Sequence, residues 1–256
     1  MIDTHTHLYD IAFKDDFHEA VQRATDAGVT HFIFPDTDSS EHARMLECAA
    51  YYDNIYVATG LHPTSVDDNW KKELDFTEKS LSERNWCAIG EIGIDGYWSK
   101  EFIPLQKIVL EQQMRWAAEL NLPVIIHLRE SQDAFFEVLD KLSEEGVKMK
   151  GVLHAFSGSI ETYRRIMKYG DFKIGIGGVL TYKKASIAET LKDIPLENII
   201  LETDSPYLTP VPFRGKRNES SYIIYTAKKV AEIKDCDLSL VDKVTTENAM
   251  RLFNIK

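Results

Sequence analysis

The sequence is poor in the features that mark disulfide-stabilised and membrane-spanning proteins. Its three cysteines, Cys48, Cys87 and Cys236, are far apart and form no Cys-x-x-Cys pair, so neither a disulfide framework nor a thiolate metal site is predicted. No apolar run approaches the roughly 18 residues that a membrane span requires, and the chain opens without a basic and apolar leader. We therefore expect a cytoplasmic protein.

Basic residues are also in the minority. The chain has 30 lysines and arginines against 41 aspartates and glutamates, a formal net charge of -11. This balance excludes a protein that coats nucleic acid through a broad basic face. It does not exclude an enzyme that acts on phosphate esters, because bound metal ions can supply positive charge locally. Apolar residues are plentiful: 44% of the 256 residues are hydrophobic, which is enough for a full core.

Short β-rich runs alternate along the chain with longer amphipathic segments. Eight such runs over about 250 residues predict an α/β fold, the (β/α)₈ TIM barrel, as a single domain spanning residues 1–256. A doubly wound sheet is the main alternative, but no glycine-rich dinucleotide fingerprint follows the first run. The predicted strands lie near residues 2–6, 30–34, 55–60, 87–91, 123–127, 150–154, 172–176 and 198–202.

The end of the chain has its own pattern. A proline-rich loop at residues 206–212 follows the eighth predicted strand. Two helical segments come next, at about 222–234 and 238–253. We expect these helices to close the barrel and to seal its C-terminal end.

Ligand-type side chains follow five of the predicted strands. The first two are separated by one residue, so in an extended chain their side chains point the same way. Active sites of such barrels form at the carboxyl ends of the strands, so we expect all of these side chains to converge. A single histidine or carboxylate at a strand end more often caps the backbone or faces water, but this set is hard to explain by chance. Its members are His5, His7, Glu91, His127, His154 and Asp204.

The number and type of these ligands predict a two-metal site. Six ligands exceed the four of a closed zinc site and the three of an open mononuclear one. Mixed imidazole and carboxylate donors suit zinc or manganese better than calcium. We therefore expect two divalent metal ions, which could be Zn, Mn or Mg. Two such ions and two carboxylates leave about two positive charges, a good receptor for a phosphate ester, and the ions would lower the pKa of a water nucleophile to near 7.

Six stretches of the sequence resemble the TatD family of metal-dependent deoxyribonucleases, in the amidohydrolase superfamily of barrels. They occur in the family's order, and the resemblance covers almost the whole chain. It implies one metal held by His5, His7, Glu91 and Asp204, and a second held by Glu91, His127 and His154. It also implies catalytic roles for Glu91, as the bridging ligand, and for Asp204, which helps to activate the water. The stretches are residues 3–8, 90–95, 123–127, 154–159, 201–206 and 214–219.

Cationic and histidine side chains on the loops are candidates for substrate binding. The basic run at residues 214–217 follows the eighth strand, where barrels often bind phosphate. The loop after the fourth strand carries Tyr97 and Trp98, which could stack on a base. A solvated basic turn and a packed loop are the simpler interpretations. The substrate-binding candidates are His62, Lys100, Arg129, Arg214, Lys216 and Arg217.

The predicted function is a metal-dependent phosphodiester hydrolase, a 3′–5′ exonuclease acting on the ends of single-stranded DNA or RNA. The polarity and the type of nucleic acid rest on the resemblance alone. We expect a monomer or a weak oligomer that does not bind membranes. The alternative is an amide, ester or lactone hydrolase of the same superfamily, for example a deacylase. A binding protein that has lost catalysis is a third hypothesis, and the complete ligand set counts against it.

Overall fold

The computed structural model describes residues 1–98 and 100–256. Eight strands form one sheet in which each strand pairs in parallel with the next along the chain. Helices lie between the strands, so the predicted (β/α)₈ barrel is confirmed. The strands are β1 (Ile2–Asp3), β2 (His31–Phe34), β3 (Ile55–Thr59), β4 (Ala88–Asp95), β5 (Val124–Arg129), β6 (Met149–Leu153), β7 (Gly170–Ile176) and β8 (Ile199–Leu201).

The first and last strands meet through backbone hydrogen bonds. The amide of Thr4 donates to the carbonyl of Leu201 at 3.1 Å, and the amide of Asp204 donates to the carbonyl of His5 at 2.9 Å. These bonds nearly close the barrel. They also place the segment that carries His5 directly beside the segment that carries Asp204, although about 200 residues separate the two in sequence.

The helices cover the outside of the sheet with their apolar faces. In the fifth helix, for example, Phe135, Phe136, Leu139 and Leu142 are buried against the core, at the three- and four-residue steps of an amphipathic helix. No described helix is both long and apolar enough to cross a membrane. The helices are α1 (Phe17–Asp26), α2 (Ser39–Ala49), α3 (Trp70–Ser80), α4 (Ile103–Glu119), α5 (Gln132–Glu144), α6 (Ile160–Ile166), α7 (Ile187–Asp193), α8 (Ile223–Lys234) and α9 (Leu238–Phe253).

The last helix covers the opposite end of the barrel from the one predicted. Leu252 and Phe253 pack against Ile2, Ile125 and Ile200 in a buried cluster. The terminal carbonyl that follows this helix bonds to a histidine at the start of β2. The bounds of α8 and α9 agree with the prediction, but the expectation that they seal the C-terminal end was wrong. Because α9 covers the N-terminal end, the rim at the carboxyl ends of the strands remains open.

Strand β4 is longer than predicted and carries two acidic residues. It runs on to Asp95, and its pairing with β5 is irregular between Ile89 and Ile92. Gly90 lies within this irregularity, where a Cβ atom would be only 2.6 Å from the Cβ of Ile125, so the close approach of β4 and β5 requires glycine. The next residue, Glu91, is buried at the centre of the rim.

Candidate metal centre

The two histidines after β1 form one half of a cluster of ligand atoms. Nε2 of His5 lies 3.1 Å from Nε2 of His7 and 3.1 Å from Oε2 of Glu91. Oδ1 of Asp204 lies 3.5 Å from the His5 nitrogen and 3.6 Å from the His7 nitrogen. Ligands of one ion with bonds of about 2.0–2.2 Å are roughly 3 Å apart, so these four side chains fit a shared divalent cation.

The second half of the cluster surrounds the other oxygen of Glu91. Oε1 of this carboxylate lies 2.8 Å from Nε2 of His154, 3.0 Å from Nδ1 of His127 and 3.2 Å from Nε2 of His62. Glu91 therefore stands between two sets of donors, with one oxygen turned to each set. The six predicted ligands converge on one rim, and the structure adds His62 to the group.

His7 is held in one tautomer by a buried tyrosine. The hydroxyl of Tyr9 donates to the carbonyl of Pro35 and lies 2.8 Å from Nδ1 of His7. Because its proton is already used, the hydroxyl accepts a hydrogen bond from Nδ1 of His7. Nε2 of His7 consequently presents a lone pair to the cluster, which is the form that binds a metal.

Asp95 links His127 to the loop that follows β4. Its Oδ2 lies 2.8 Å from Nε2 of His127, which leaves Nδ1 of that ring free to face Glu91. Its Oδ1 accepts hydrogen bonds from the amides of Tyr97 and Trp98 at 2.8 and 3.1 Å. The sequence reasoning did not identify this role, although a carboxylate at the end of a barrel strand was the available signal.

Glu202 supports the cluster from beneath. Its Oε1 accepts a hydrogen bond of 2.6 Å from the amide of Ala155 and lies 3.7 Å from Nδ1 of His154. Its Oε2 is buried without a hydrogen-bond partner among the described residues. A Cβ atom on Gly175 would lie 2.2 Å from this oxygen, so glycine at that position makes room for the carboxylate.

The contacts of His62 favour a hydrogen-bond donor over a metal ligand. Nδ1 of this ring accepts a hydrogen bond of 3.1 Å from the amide of Thr64. Burial lowers the pKa of His62, so the ring is neutral and its single proton lies on Nε2, the nitrogen that faces Glu91. His62 lies close enough to Glu91 and His127 to share an ion with them. We nevertheless assign it the donor role, because a protonated nitrogen has no lone pair to give.

The charges of the cluster favour cations over protons. Burial would raise the pKa of the Glu91 carboxyl, but the surrounding imidazoles of His154, His62 and His5 hold this pKa well below its ordinary value. Burial would also raise the pKa of Asp204, but the neighbouring histidines, His7 first among them, lower it. Burial and the charge of His154 lower the pKa of His5. Both carboxylates thus remain anionic among imidazoles, a donor set that suits zinc or manganese.

The cluster opens into a cavity of about 800 Å³ at the rim of the barrel. Of the predicted substrate-binding residues, His62 and Arg129 line this cavity. The guanidinium of Arg129 lies 3.6 Å from the centre of the Tyr97 ring. Lys100 and Lys216 are exposed and are not among its lining residues.

The two predicted arginines after β8 differ in their partners. Arg217 forms two hydrogen bonds of 2.7 Å with the carboxylate of Asp16. Arg214 instead lies over the ring of Tyr182, 4.5 Å from its centre, and lines a second cavity. The substrate contacts of these residues remain predictions, and Arg217 is the one already engaged with a carboxylate.

The fold and the cluster together define a metal-dependent hydrolase built on a TIM barrel. The sequence profile described as TatD related DNase matches residues 2–254, and the chain belongs to this family. It is 39% identical to the uncharacterized metal-dependent hydrolase YabD of Bacillus subtilis, over 100% of this chain and 99% of that protein.

Two solved structures support the same assignment. The crystal structure of YjjV, a TatD homolog from Escherichia coli K12, superposes with a TM-score of 0.91 at 30% identity, covering 100% of this chain and 98% of that one. A hydrolase TatD family protein from Entamoeba histolytica superposes with a TM-score of 0.79 at 26% identity, covering 98% and 97% of the two chains.

Proposed function

We propose that this protein is a two-metal phosphodiester hydrolase that removes nucleotides from the 3′ end of single-stranded DNA or RNA. The observation that carries the proposal is the position of Glu91, whose two carboxylate oxygens face two separate sets of donors. Two divalent ions with Glu91 and Asp204 leave about two positive charges at the floor of the cavity. A phosphodiester is the anionic substrate that such a charge would bind. The family supports a nucleic acid as the substrate.

The side chains of the cluster have separate roles in this proposal. His5, His7, Glu91 and Asp204 would hold one ion, and Glu91, His127 and His154 the other. When bound, the ions would supply Lewis acidity and lower the pKa of a nearby water. Asp204, whose pKa is lowered by the neighbouring histidines once burial is outweighed, is ionised at neutral pH and can accept the proton of the attacking water.

The residues at the mouth of the cavity supply the remaining substrate contacts. His62 would donate from Nε2 to a phosphate oxygen, and Arg129 would pair with phosphate charge. Trp98 is 72% exposed beside the cavity, and Tyr207 is also exposed on its lining. Exposed aromatic rings stack on unpaired bases, so this rim favours a single-stranded end over a duplex.

One observation favours an alternative substrate. Three carboxylates, those of Asp10, Asp38 and Glu41, line one wall of the cavity. They would repel a polyanion that lay against that wall, whereas a neutral or cationic amide, ester or lactone would tolerate them. An amide, ester or lactone hydrolase, for example a deacylase, is therefore the second candidate.

A substrate panel separates the two candidates. The protein, reloaded with manganese, zinc or magnesium, is assayed on single-stranded DNA, RNA, duplex DNA, lactones and N-acyl amino acids. We expect mononucleotides to be released from the 3′ end of a single strand, with duplex DNA cut more slowly. If the lactones or N-acyl amino acids gave a kcat/KM orders of magnitude above that of every oligonucleotide, the second candidate would replace the first.

A further inference from the structure

A second cavity adjoins the one that contains the metal centre. Its volume is about 550 Å³, and Ser157 and Val179 line both cavities. Because the two share these residues, a substrate longer than one nucleotide could pass from the metal centre into the second cavity. Three cationic side chains lie on its wall: Lys183, Lys184 and Arg214.

These cations have no carboxylate partner within 4.0 Å among the residues that the structure describes. Other arginines of the same region are paired, since Arg23 bonds to Asp16 and Glu219, and Arg217 to Asp16. In a chain with a formal net charge of -11, three neighbouring cations without acidic partners form a local reversal of the surface charge. A charge of this kind attracts an anion from solution.

One of the three cations is held in position by an aromatic ring. The guanidinium of Arg214 lies over the ring of Tyr182, and the hydroxyl of Tyr182 donates a hydrogen bond of 3.0 Å to the carbonyl of Thr209. The ring is thus fixed at both its face and its tip. A guanidinium held in this way loses little side-chain freedom when it binds a phosphate.

We propose that the cavity lined by Tyr182, Lys183, Lys184 and Arg214 is a subsite for the backbone of single-stranded nucleic acid. It binds the phosphates of nucleotides that lie beyond the one at the metal centre. The acidic wall of Asp10, Asp38 and Glu41 belongs to the first cavity, so a polyanionic strand is directed away from it and toward the cations. The inference rests on the proposed nuclease function and adds to it the path of the strand.

The test compares two double variants that each remove two lysines. In Lys183→Ala/Lys184→Ala the lost charges belong to the second cavity. In the control, Lys148→Ala/Lys168→Ala, they precede β6 and β7, at the end of the barrel opposite the metal centre. Both proteins are assayed on oligothymidylates of two and twelve nucleotides over a range of salt concentrations, and thermal unfolding confirms that both are folded.

We expect the first variant to lose roughly tenfold in kcat/KM on the twelve-nucleotide substrate, mostly through KM, because two phosphate contacts are removed. Its dependence of log kcat/KM on log salt concentration should be shallower by roughly 1.4, since each lost contact on a single strand removes about 0.7. Cleavage of the dinucleotide should stay at the wild-type rate. Arg214→Ala should behave in the same way, with a smaller change in slope.

The outcomes distinguish this inference from the function on which it rests. If the wild type cuts the long substrate and the Lys183→Ala/Lys184→Ala variant matches the control, the subsite is wrong and the nuclease function stands. Equal losses on both lengths would also overturn the subsite, because the lysines would then act at the metal centre. If the wild type cuts neither length, the nuclease function fails and the subsite fails with it.

Discussion

The barrel contains two buried clusters of histidine and carboxylate, and they differ in the number of donors that converge. Around Glu91, imidazoles from four strand ends approach one carboxylate. In the other cluster, beside the end of β2, Nδ1 of His42 bonds to the carboxylate of Asp36, and Phe76 and Trp86 pack against the imidazole ring. A buried histidine–carboxylate pair is thus a structural contact unless further donors face the same point.

The second cluster braces the first. The backbone amide of Asp36 donates to the carbonyl of Gly90 at 3.1 Å, and the amide of Glu91 donates to the carbonyl of Asp36 at 2.9 Å. His42 fixes the side chain of Asp36, and Asp36 in turn holds the backbone on both sides of the Gly90–Glu91 bond. The two clusters therefore divide the work between ion binding and support of the strand that carries Glu91.

The largest effect on turnover is expected from Asp204→Asn, in the cluster of many donors. Asparagine keeps the size of the side chain but loses the charge that binds a cation and accepts a proton. We expect kcat to fall by about 10²–10⁴-fold, while the midpoint of thermal unfolding changes little. Near wild-type kcat in this variant would remove Asp204 from its assigned role.

A smaller loss is expected from Asp95→Asn, which alters the support of a single ligand. The amide can present an N–H to Nε2 of His127 where the carboxylate presented an acceptor, so the ring is no longer held with Nδ1 free. Outer contacts of this kind change metal affinity or activity by about 10–100-fold. Metal titration by calorimetry measures the effect, with Asp133→Asn in the first turn of α5 as a control for the charge change. Equal affinities in the two variants would contradict the role of Asp95.

The smallest effect on turnover is expected from His42→Ala, in the cluster of two members. Burial would lower the pKa of His42, but the hydrogen bond and charge of Asp36 outweigh it and raise this pKa. Removing the imidazole leaves the buried Asp36 carboxylate without that partner, which destabilises the fold by about 1–3 kcal/mol. Chemical denaturation measures this loss. The folded variant should still bind metal, whereas His154→Ala should not; loss of metal from both would erase the distinction between the clusters.

The ligand positions could be predicted because their geometry follows from the fold. In a parallel barrel the residue after each strand lies on the same rim, so His127 and His154 had to approach Glu91 once the strands were recognised. Their agreement with His5, about 85 residues before Glu91 in sequence, needed no knowledge of side-chain packing. His42 could also be set aside in advance, because it falls on a helix and not at a strand end.

Contacts between distant segments could not be predicted. The pairing of Arg217 with Asp16 joins residues 201 positions apart, and the sequence gave no sign that this cation already had a partner. The pattern of α9 indicates an apolar face but not which end of the barrel that face covers. The proton position on His62 depends on one hydrogen bond from Thr64, which a residue pattern does not reveal.

The most direct test of a two-metal centre is the number of ions bound per chain. The wild type and Glu91→Gln are freed of metal by a chelator, reloaded with zinc or manganese, and analysed for metal after removal of the unbound ions. Because both sets of donors share the Glu91 carboxylate, we expect about two ions per wild-type chain and a clear loss in the variant, with activity absent in chelator and restored on reloading. A wild-type protein that bound no ion after reloading, or that kept full activity in chelator, would contradict the account.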